Sequence, residues 1–226
     1  MTTPLPYRVR RSDRARRVRV SVDAHSGVEV VLPRDSPQSA AAAAVVELRP
    51  WIERRLAQTR AVRAAIAARG GTLPYLGTNL ALHPEAGRTR VHRRGDTLLV
   101  PADAGAARRA LERWYRRAAR REIAPRAEVA AAALGCSCSA LTIRGQRTRW
   151  GSCSAKGALS FNWRLLLAPA AVLDYVVWHE ACHLRVMDHS ASFWSLVHEH
   201  CPDHEAQRSW LRRQGSTLVL FASAGE

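Results

Sequence analysis

The sequence predicts an α+β protein in which a small sheet packs on one buried helix, and three observations carry that expectation. Val18, Val20 and Val22, and then Val28, Val30 and Leu32, alternate with polar residues, the period of paired strands. Alanine and arginine, both strong helix formers, fill a long stretch from about Ala104 to Glu122. Short strand-like runs between Leu141 and Trp163 precede a helix starting at Pro169 whose apolar residues lie on nearly every side: Val172, Leu173, Tyr175, Val176, Val177, Trp178, Cys182 and Leu184. A helix apolar all round is a buried one.

In chain order, Ala24–Gly27 reads as the turn of the first hairpin. Ser36-Pro37 reads as an N-cap with proline at the first helical position. That helix breaks near Pro50, resumes to about Arg69 and stops at Gly70-Gly71. Strands are expected around Tyr75–Leu82 and Thr97–Pro101, and after the long helix Pro125 starts a further turn or two. Leu141–Arg144, Trp150–Cys153 and Leu159–Trp163 read as strands, the last two joined by the turn Ala155-Lys156-Gly157. The helix from Pro169 runs to about Arg185, Ser190 caps another through His200, and Pro202-Asp203 opens a last one that Gly215 closes. From Ser216 the tail adds a short strand or frays. Two parts result: residues 1–101, a basic hairpin and helical region integral to the fold, and residues 102–226, the domain that carries the chemistry.

With 226 residues, 47% of them apolar, the chain can bury one sizeable core and is not a disordered chain. No run of eighteen apolar residues occurs, which argues against a membrane-spanning helix. Met1–Arg19 is arginine-rich without an apolar core, unlike a secretory signal. Five cysteines are an odd number without a paired framework, so Cys136 and Cys138 read as free thiols in a reducing compartment. A soluble, cytoplasmic protein is expected. The net charge of +16 is unevenly placed: residues 1–125 carry 25 arginines against 11 acids, net +14. Such a half invites a nucleic-acid partner. Lys156 is the only lysine, and codon bias accounts for arginine over lysine but not for the excess over acids. Arg109, Arg113, Arg116, Arg117 and Arg120 fall on one helical stripe, the expected phosphate-binding face.

The chemistry concentrates in His179-Glu180-Ala181-Cys182-His183, an H-E-x-x-H on the buried helix. At 100° per residue the two imidazoles lie within about 40° of each other and can reach one ion, while Glu180 sits about 100° round, off the ligand line. Catalytic zinc takes three protein ligands and keeps one position open. His189 follows His183 by six residues, enough chain to turn back, and competes as third donor with His198, Glu199, His200, His204 and Glu205. Burying two histidines and a glutamate without partners would cost several kcal/mol, a cost that a metal removes.

The chain resembles the YgjP-like zinc metallopeptidases, and more distantly the SprT-like and WLM metallopeptidases. The resemblance rests on Arg149-Trp150-Gly151-Ser152-Cys153, Leu159–Leu165 with Asn162-Trp163-Arg164, Ala168-Pro169, Asp174–Val177, the run from His179 to Leu184, His189-Ser190, Phe193-Trp194, Pro202-Asp203 and Trp210-Leu211. Weaker matches lie at Trp51-Ile52, Tyr75-Leu76-Gly77 and Trp114-Tyr115. It implies a zincin-like, minimal gluzincin-like fold, with His179, His183 and His189 on one zinc and Glu180 as the base. One departure is His204, where the pattern has tyrosine after Pro-Asp. A metzincin would carry glycine where this chain has Val186, so Asp188 is expected to take the left-handed turn conformation.

Other residues are weighed beside these. Trp150, Gly151 and Ser152 are candidates to hold an extended peptide on a sheet edge, and Gly151 serves either close backbone approach or packing beneath the helix. Arg144, Arg147 and Arg149 either bring positive charge to the cleft or line a solvated strand. His204 and Tyr175 are candidates to orient a ligand or steady an oxyanion. Cys182, Trp163, Phe193, Trp194 and Trp210 read as core. The function read from the sequence is peptide hydrolysis by a zinc-bound water that Glu180 activates, on peptide or protein substrates, with no membrane partner. The alternatives are a nucleic-acid-associated module with a mainly structural zinc, or a protease recruited to nucleic acid.

Overall fold

The computed structural model describes residues 5–23, 27–146 and 148–221. Residues 24–26 of the hairpin turn expected at Ala24–Gly27, Arg147 and the end of the tail lie outside them. The coordinates divide into two units, one of residues up to Ala68 together with the segment from Phe221, the other Arg69–Leu220. No helix of the described residues is long and apolar enough to cross a membrane.

The first unit holds strands β1 (Tyr7–Ser12), β2 (Arg19–Asp23) and β3 (Gly27–Pro33), and helices α1 (Ser39–Glu47) and α2 (Arg49–Ala67). β2 and β3 pair antiparallel as the valine alternation predicts. β1, which the arginine-rich sequence hides, pairs parallel with β3, making β3 the central strand. Val28, Val30 and Leu32 of β3 pack with Ala41, Val45 and Ile52 into one core. α1 starts later than the Ser36-Pro37 cap predicts, with Gln38 at its N-cap. Pro50 sits in the first turn of α2, where its missing N–H has no partner within the helix to lose.

The second unit opens with a four-stranded sheet in the order β4-β5-β7-β6: β4 (Thr72–Tyr75), β5 (Thr78–Glu85), β6 (His92–Arg94) and β7 (Thr97–Pro101). The single strand expected at Tyr75–Leu82 is thus a tight hairpin, turned at Leu76 and Gly77 with φ of 50° and 93°. Both central residues of such a two-residue turn need positive φ. Leucine tolerates it here because Leu76 N–H donates to Leu166 O at 2.8 Å. This sheet belongs with the long helix α3 (Ala104–Ala133): Tyr115 of α3 donates to Pro74 O at 2.7 Å, and Tyr75 donates to Glu122 at 3.0 Å. A boundary at residue 101 would cut those contacts, and the coordinates part at residue 69 instead.

α3 runs through Pro125 instead of stopping near Glu122. Ile123, Ala127, Ala130 and Ala131 on either side are buried, so packing outweighs the one backbone hydrogen bond that proline forfeits. Asp103 caps the start by accepting from Ala106 N–H at 2.7 Å. At the other end Gly135 takes φ of 66°, and Cys136 N–H returns to Ala131 O.

A three-stranded sheet follows, with β10 (Ala158–Asn162) central between β8 (Ala140–Arg144), parallel to it, and β9 (Gly151–Cys153), antiparallel. Asn162, 2% exposed, organises the end of this sheet. Its Nδ2 donates to Gln146 O at 2.7 Å and Arg149 O at 3.1 Å, and its Oδ1 accepts from Arg164 N–H, capping a 3-10 turn at Trp163–Leu167. Helices α4 (Ala170–Cys182), α5 (Ala191–His200) and α6 (His204–Gln214) complete the unit, α4 packing against α3, α5, α6 and β9. Asn162→Ala removes three hydrogen bonds and leaves two carbonyls short of a donor. It should lower stability by about 2–3 kcal/mol in urea denaturation, against about 1 kcal/mol for loss of the helix cap in Asp103→Ala.

Candidate metal centre

The site forms where α4 ends. Val172, Leu173, Val176, Val177 and Ala181 are all buried, so the helix cannot turn its last polar residues away from the protein interior. Glu180 is 7% exposed and His183 equally so. Past the helix, Leu184 N–H donates to Ala181 O and Val186 N–H to Cys182 O. Asp188 then accepts from Ser190 N–H at 3.0 Å, and α5 begins at Ala191. Asp188 was expected to turn the chain through a left-handed conformation. It does so through this side-chain hydrogen bond instead, and Leu76 is the one non-glycine residue with positive φ among those described.

This turn brings His189 back over α4. The ring nitrogens of His179, His183 and His189 include one from each residue that all lie within 4.8 Å of one another. The Nε2 atoms of His179 and His189 are 3.2 Å apart. Phe193, fully buried, packs beneath all three rings at centroid distances of 5.0, 4.4 and 4.8 Å. His183 Nδ1 lies 2.9 Å from Val186 O. A carbonyl can only accept, so the proton sits on Nδ1 and the His183 Nε2 lone pair is bare. His179 Nδ1 is buried without a partner, which leaves Nε2 as the working side of that ring. Burial, and then the neighbouring imidazoles of His183 and His189, push His179 down to about 3. Burial also lowers His183. Neutral rings are what a metal requires of histidine.

The histidines open on a cavity of about 230 Å³ whose opposite wall is β9. Gly151 faces Glu180 so closely that a Cβ there would lie 2.5 Å from Glu180 Cγ and 2.6 Å from Oε1. The two readings of Gly151 therefore coincide: it packs on the helix and also lines the cavity. Burial raises the Glu180 carboxyl to about 7, against a smaller opposing pull from the Arg149 charge. Any ion held by the three imidazoles would share this cavity with that carboxyl.

Other expectations divide. Ser152 lines the cavity with Gly151, but the Trp150 ring packs at Gly215 instead. Arg149 lines it, while Arg144 does not. His204 is buried away from it, stacked on Trp194, its Nδ1 3.2 Å from Cys201 O. Tyr175 lies behind His179, with ring centroids 5.8 Å apart, and is likewise absent from the cavity wall. His200 stacks on Trp178 at 4.4 Å, and none of His198, Glu199, His200 or Glu205 joins the histidine group. Cys182 is fully buried as expected. Sequence reasoning missed Met187, which also lines the cavity. Its place in the turn between the second and third histidines was the available signal.

On α3, Arg109, Arg113, Arg117 and Arg120 are exposed along the expected stripe. Arg116 pairs with Glu112 at 2.8 Å and Arg120 donates to Leu141 O. Part of the stripe thus serves the fold.

No curated protein and no solved structure matches this chain. A family model described as the YgjP-like metallopeptidase domain matches residues 16–214, which takes in the histidine group, Glu180, β9 and most of the chain. The three metal-ready imidazoles beside a buried carboxyl are the chemistry a metallopeptidase needs, and the chain belongs to the YgjP-like family.

Proposed function

We propose that the chain is a zinc-dependent peptidase of the zincin-like class, with His179, His183 and His189 as the metal ligands and Glu180 as the general base. The observation that carries this reading is the placement of the buried Glu180 carboxyl in the same cavity as the three converging imidazoles. Zinc–nitrogen bonds of 2.0–2.1 Å at a tetrahedral angle would hold two ring nitrogens about 3.3 Å apart. The observed 3.2 Å between His179 and His189 fits that spacing. Three nitrogen ligands leave the open position that distinguishes catalytic from structural zinc. A purely structural site has no use for a carboxylate buried beside it, which weighs against the binding-module reading.

A zinc ion held there supplies Lewis acidity, polarising the scissile carbonyl and acidifying water. Glu180 accepts the proton of the attacking water on a carboxylate oxygen and passes it to the leaving amine. Burial raises this carboxyl to about 7 in the metal-free protein, and a cation beside it favours the ionised form that takes the proton. β9, as an edge strand, offers free backbone groups to an extended peptide, and Gly151 lets that peptide come close to Glu180. The catalytic domain in this reading is the Arg69–Leu220 unit, larger than residues 102–226. The five free cysteines support a reducing location such as the cytoplasm.

The protein purified with zinc should hold about one ion per chain, and His179→Ala and His183→Ala should each lose it. Elemental analysis reads this, and full retention by the double variant would overturn the ligand set. Glu180→Gln should keep its zinc while hydrolysis of a protein substrate falls on the order of a hundredfold or more. Unchanged turnover removes Glu180 from the mechanism.

A third test needs no substrate. Because burial raises the Glu180 pKa to about 7, the carboxyl of the metal-free protein is protonated below that pH and ionised above it. A cation in the same cavity favours the ionised form. Metal uptake at pH 7 should therefore release about half a proton from Glu180, and almost none near pH 9. Calorimetry in buffers of different ionisation enthalpy counts the protons, and the difference between the wild type and Glu180→Gln isolates this one. Equal release by both proteins would separate Glu180 from the metal.

A further inference from the structure

We infer that Arg149 is a specificity determinant that binds a substrate carboxylate next to the scissile bond, so that the preferred substrates are acidic peptide segments. The inference rests on the peptidase reading above. Among the described residues, Arg149 is the one arginine or lysine that lines the cavity. Its side chain is exposed and forms no ion pair with any described residue, Glu180 included. Its backbone is fixed, because Arg149 O accepts from the buried Asn162 amide that also holds Gln146 O. An unpaired guanidinium on a pinned segment is a pre-formed anion receptor, and its planar fork matches a carboxylate.

Its position relative to β9 says which part of a substrate it meets. Arg149 lies two residues before Gly151, the residue that touches Glu180. Two residues span at most about 7 Å of chain, so the Arg149 backbone stays close to Gly151. A peptide paired with the free edge of β9, its scissile bond beside Glu180, brings a side chain one or two residues away to the Arg149 fork. Among the described residues that line the cavity, Glu180 is the one carboxyl and is buried, while Ser152, Cys153 and Met187 carry no charge and Met187 is 53% exposed. The net charge of +16 draws acidic segments toward the protein, and Arg149 selects among them at the cavity. The carboxylate is that of an Asp or Glu side chain or of a chain terminus.

The test measures binding to zinc-loaded Glu180→Gln protein, which holds peptide without cleaving it. The probes are fluorescein-labelled, C-terminally amidated dodecapeptides of Ala, Ser and Gly with a central Asp-Asp, Asn-Asn or Lys-Lys pair, plus a free-acid peptide with no Asp. The Asp peptide should bind about tenfold more tightly than the Asn peptide by fluorescence anisotropy. Preference for the free acid instead identifies the terminus as the bound group. Adding Arg149→Gln should abolish the preference, and Arg149→Glu should turn it toward the Lys peptide. Zinc content equal to that of the parent shows that these variants are folded. An Asp preference that survives Arg149→Gln overturns the inference, as does equal or absent binding of the Asp, Asn and free-acid peptides. Digestion of β-casein by the zinc-loaded wild type separates the two claims. Arg149-dependent binding without digestion leaves the subsite and removes the peptidase; digestion without a carboxylate preference does the reverse.

Discussion

The second unit depends on a helix that is buried on almost every side and yet ends in three polar side chains. α4 has no solvated face to which His179, Glu180 and His183 could turn, and each such group is costly to bury unless something satisfies it. The surroundings of α4 are arranged accordingly. The 184–190 turn supplies Val186 O to one imidazole and a third imidazole to the cluster. β9 approaches so closely that no side chain larger than hydrogen fits opposite Glu180. Phe193 fills the space under the rings. The carboxyl itself has no cation within ion-pair distance among the described residues, and its pKa rises as burial demands.

How much of this the sequence discloses depends on how local each feature is. The spacing of His179 and His183 is a property of any helix, and the helix was readable from its apolar residues. The valine hairpin, β8 to β10 and the Ala155–Gly157 turn were readable because alternation and turn chemistry are short-range signals. β1 was not, since Arg8, Arg10 and Arg11 obscure the alternation and its partner β3 lies twenty residues on. The β4–β5 hairpin escaped because its turn puts leucine where Gly or Asn is usual, and the stabilising bond comes from Leu166. Pro125 misled because its local cost is offset by burial contributed by other elements. Trp150, His204 and Tyr175 were plausible in the cleft by sequence neighbourhood, and side-chain direction, which spacing does not fix, takes them elsewhere.

Charge follows a similar division. The chain is strongly basic, but burial disfavours the charged forms of His179 and His183 at the candidate site and raises the Glu180 carboxyl to about 7. A neutral His179 in a cationic protein is self-consistent, because burial, the neighbouring rings of His183 and His189 and nearby Arg208 all disfavour its protonation. The same field would repel a bare cation approaching from solvent, so the ligands must bind it through directed lone pairs and not through net attraction. Three converging nitrogens do that where a scatter of surface acids could not.

The motif alone would not make a site. On an isolated helix, His179 and His183 share a stripe and Glu180 points about 100° away. What turns that divergence to use is the pairing of two tertiary neighbours with the two directions. The turn after α4 meets the histidine stripe and closes it with His189, while β9 meets the Glu180 direction and closes it with Gly151. The cavity lies between, so the edge of β9 borders the same space as the Glu180 carboxyl and the imidazole cluster. Asn162 then matters beyond its own hydrogen bonds: it ends the strand next to β9 and fixes the carbonyls of Gln146 and Arg149, thereby setting where that edge begins. The placement of the strand relative to the helix, more than the five residues of the motif, determines what reaches Glu180.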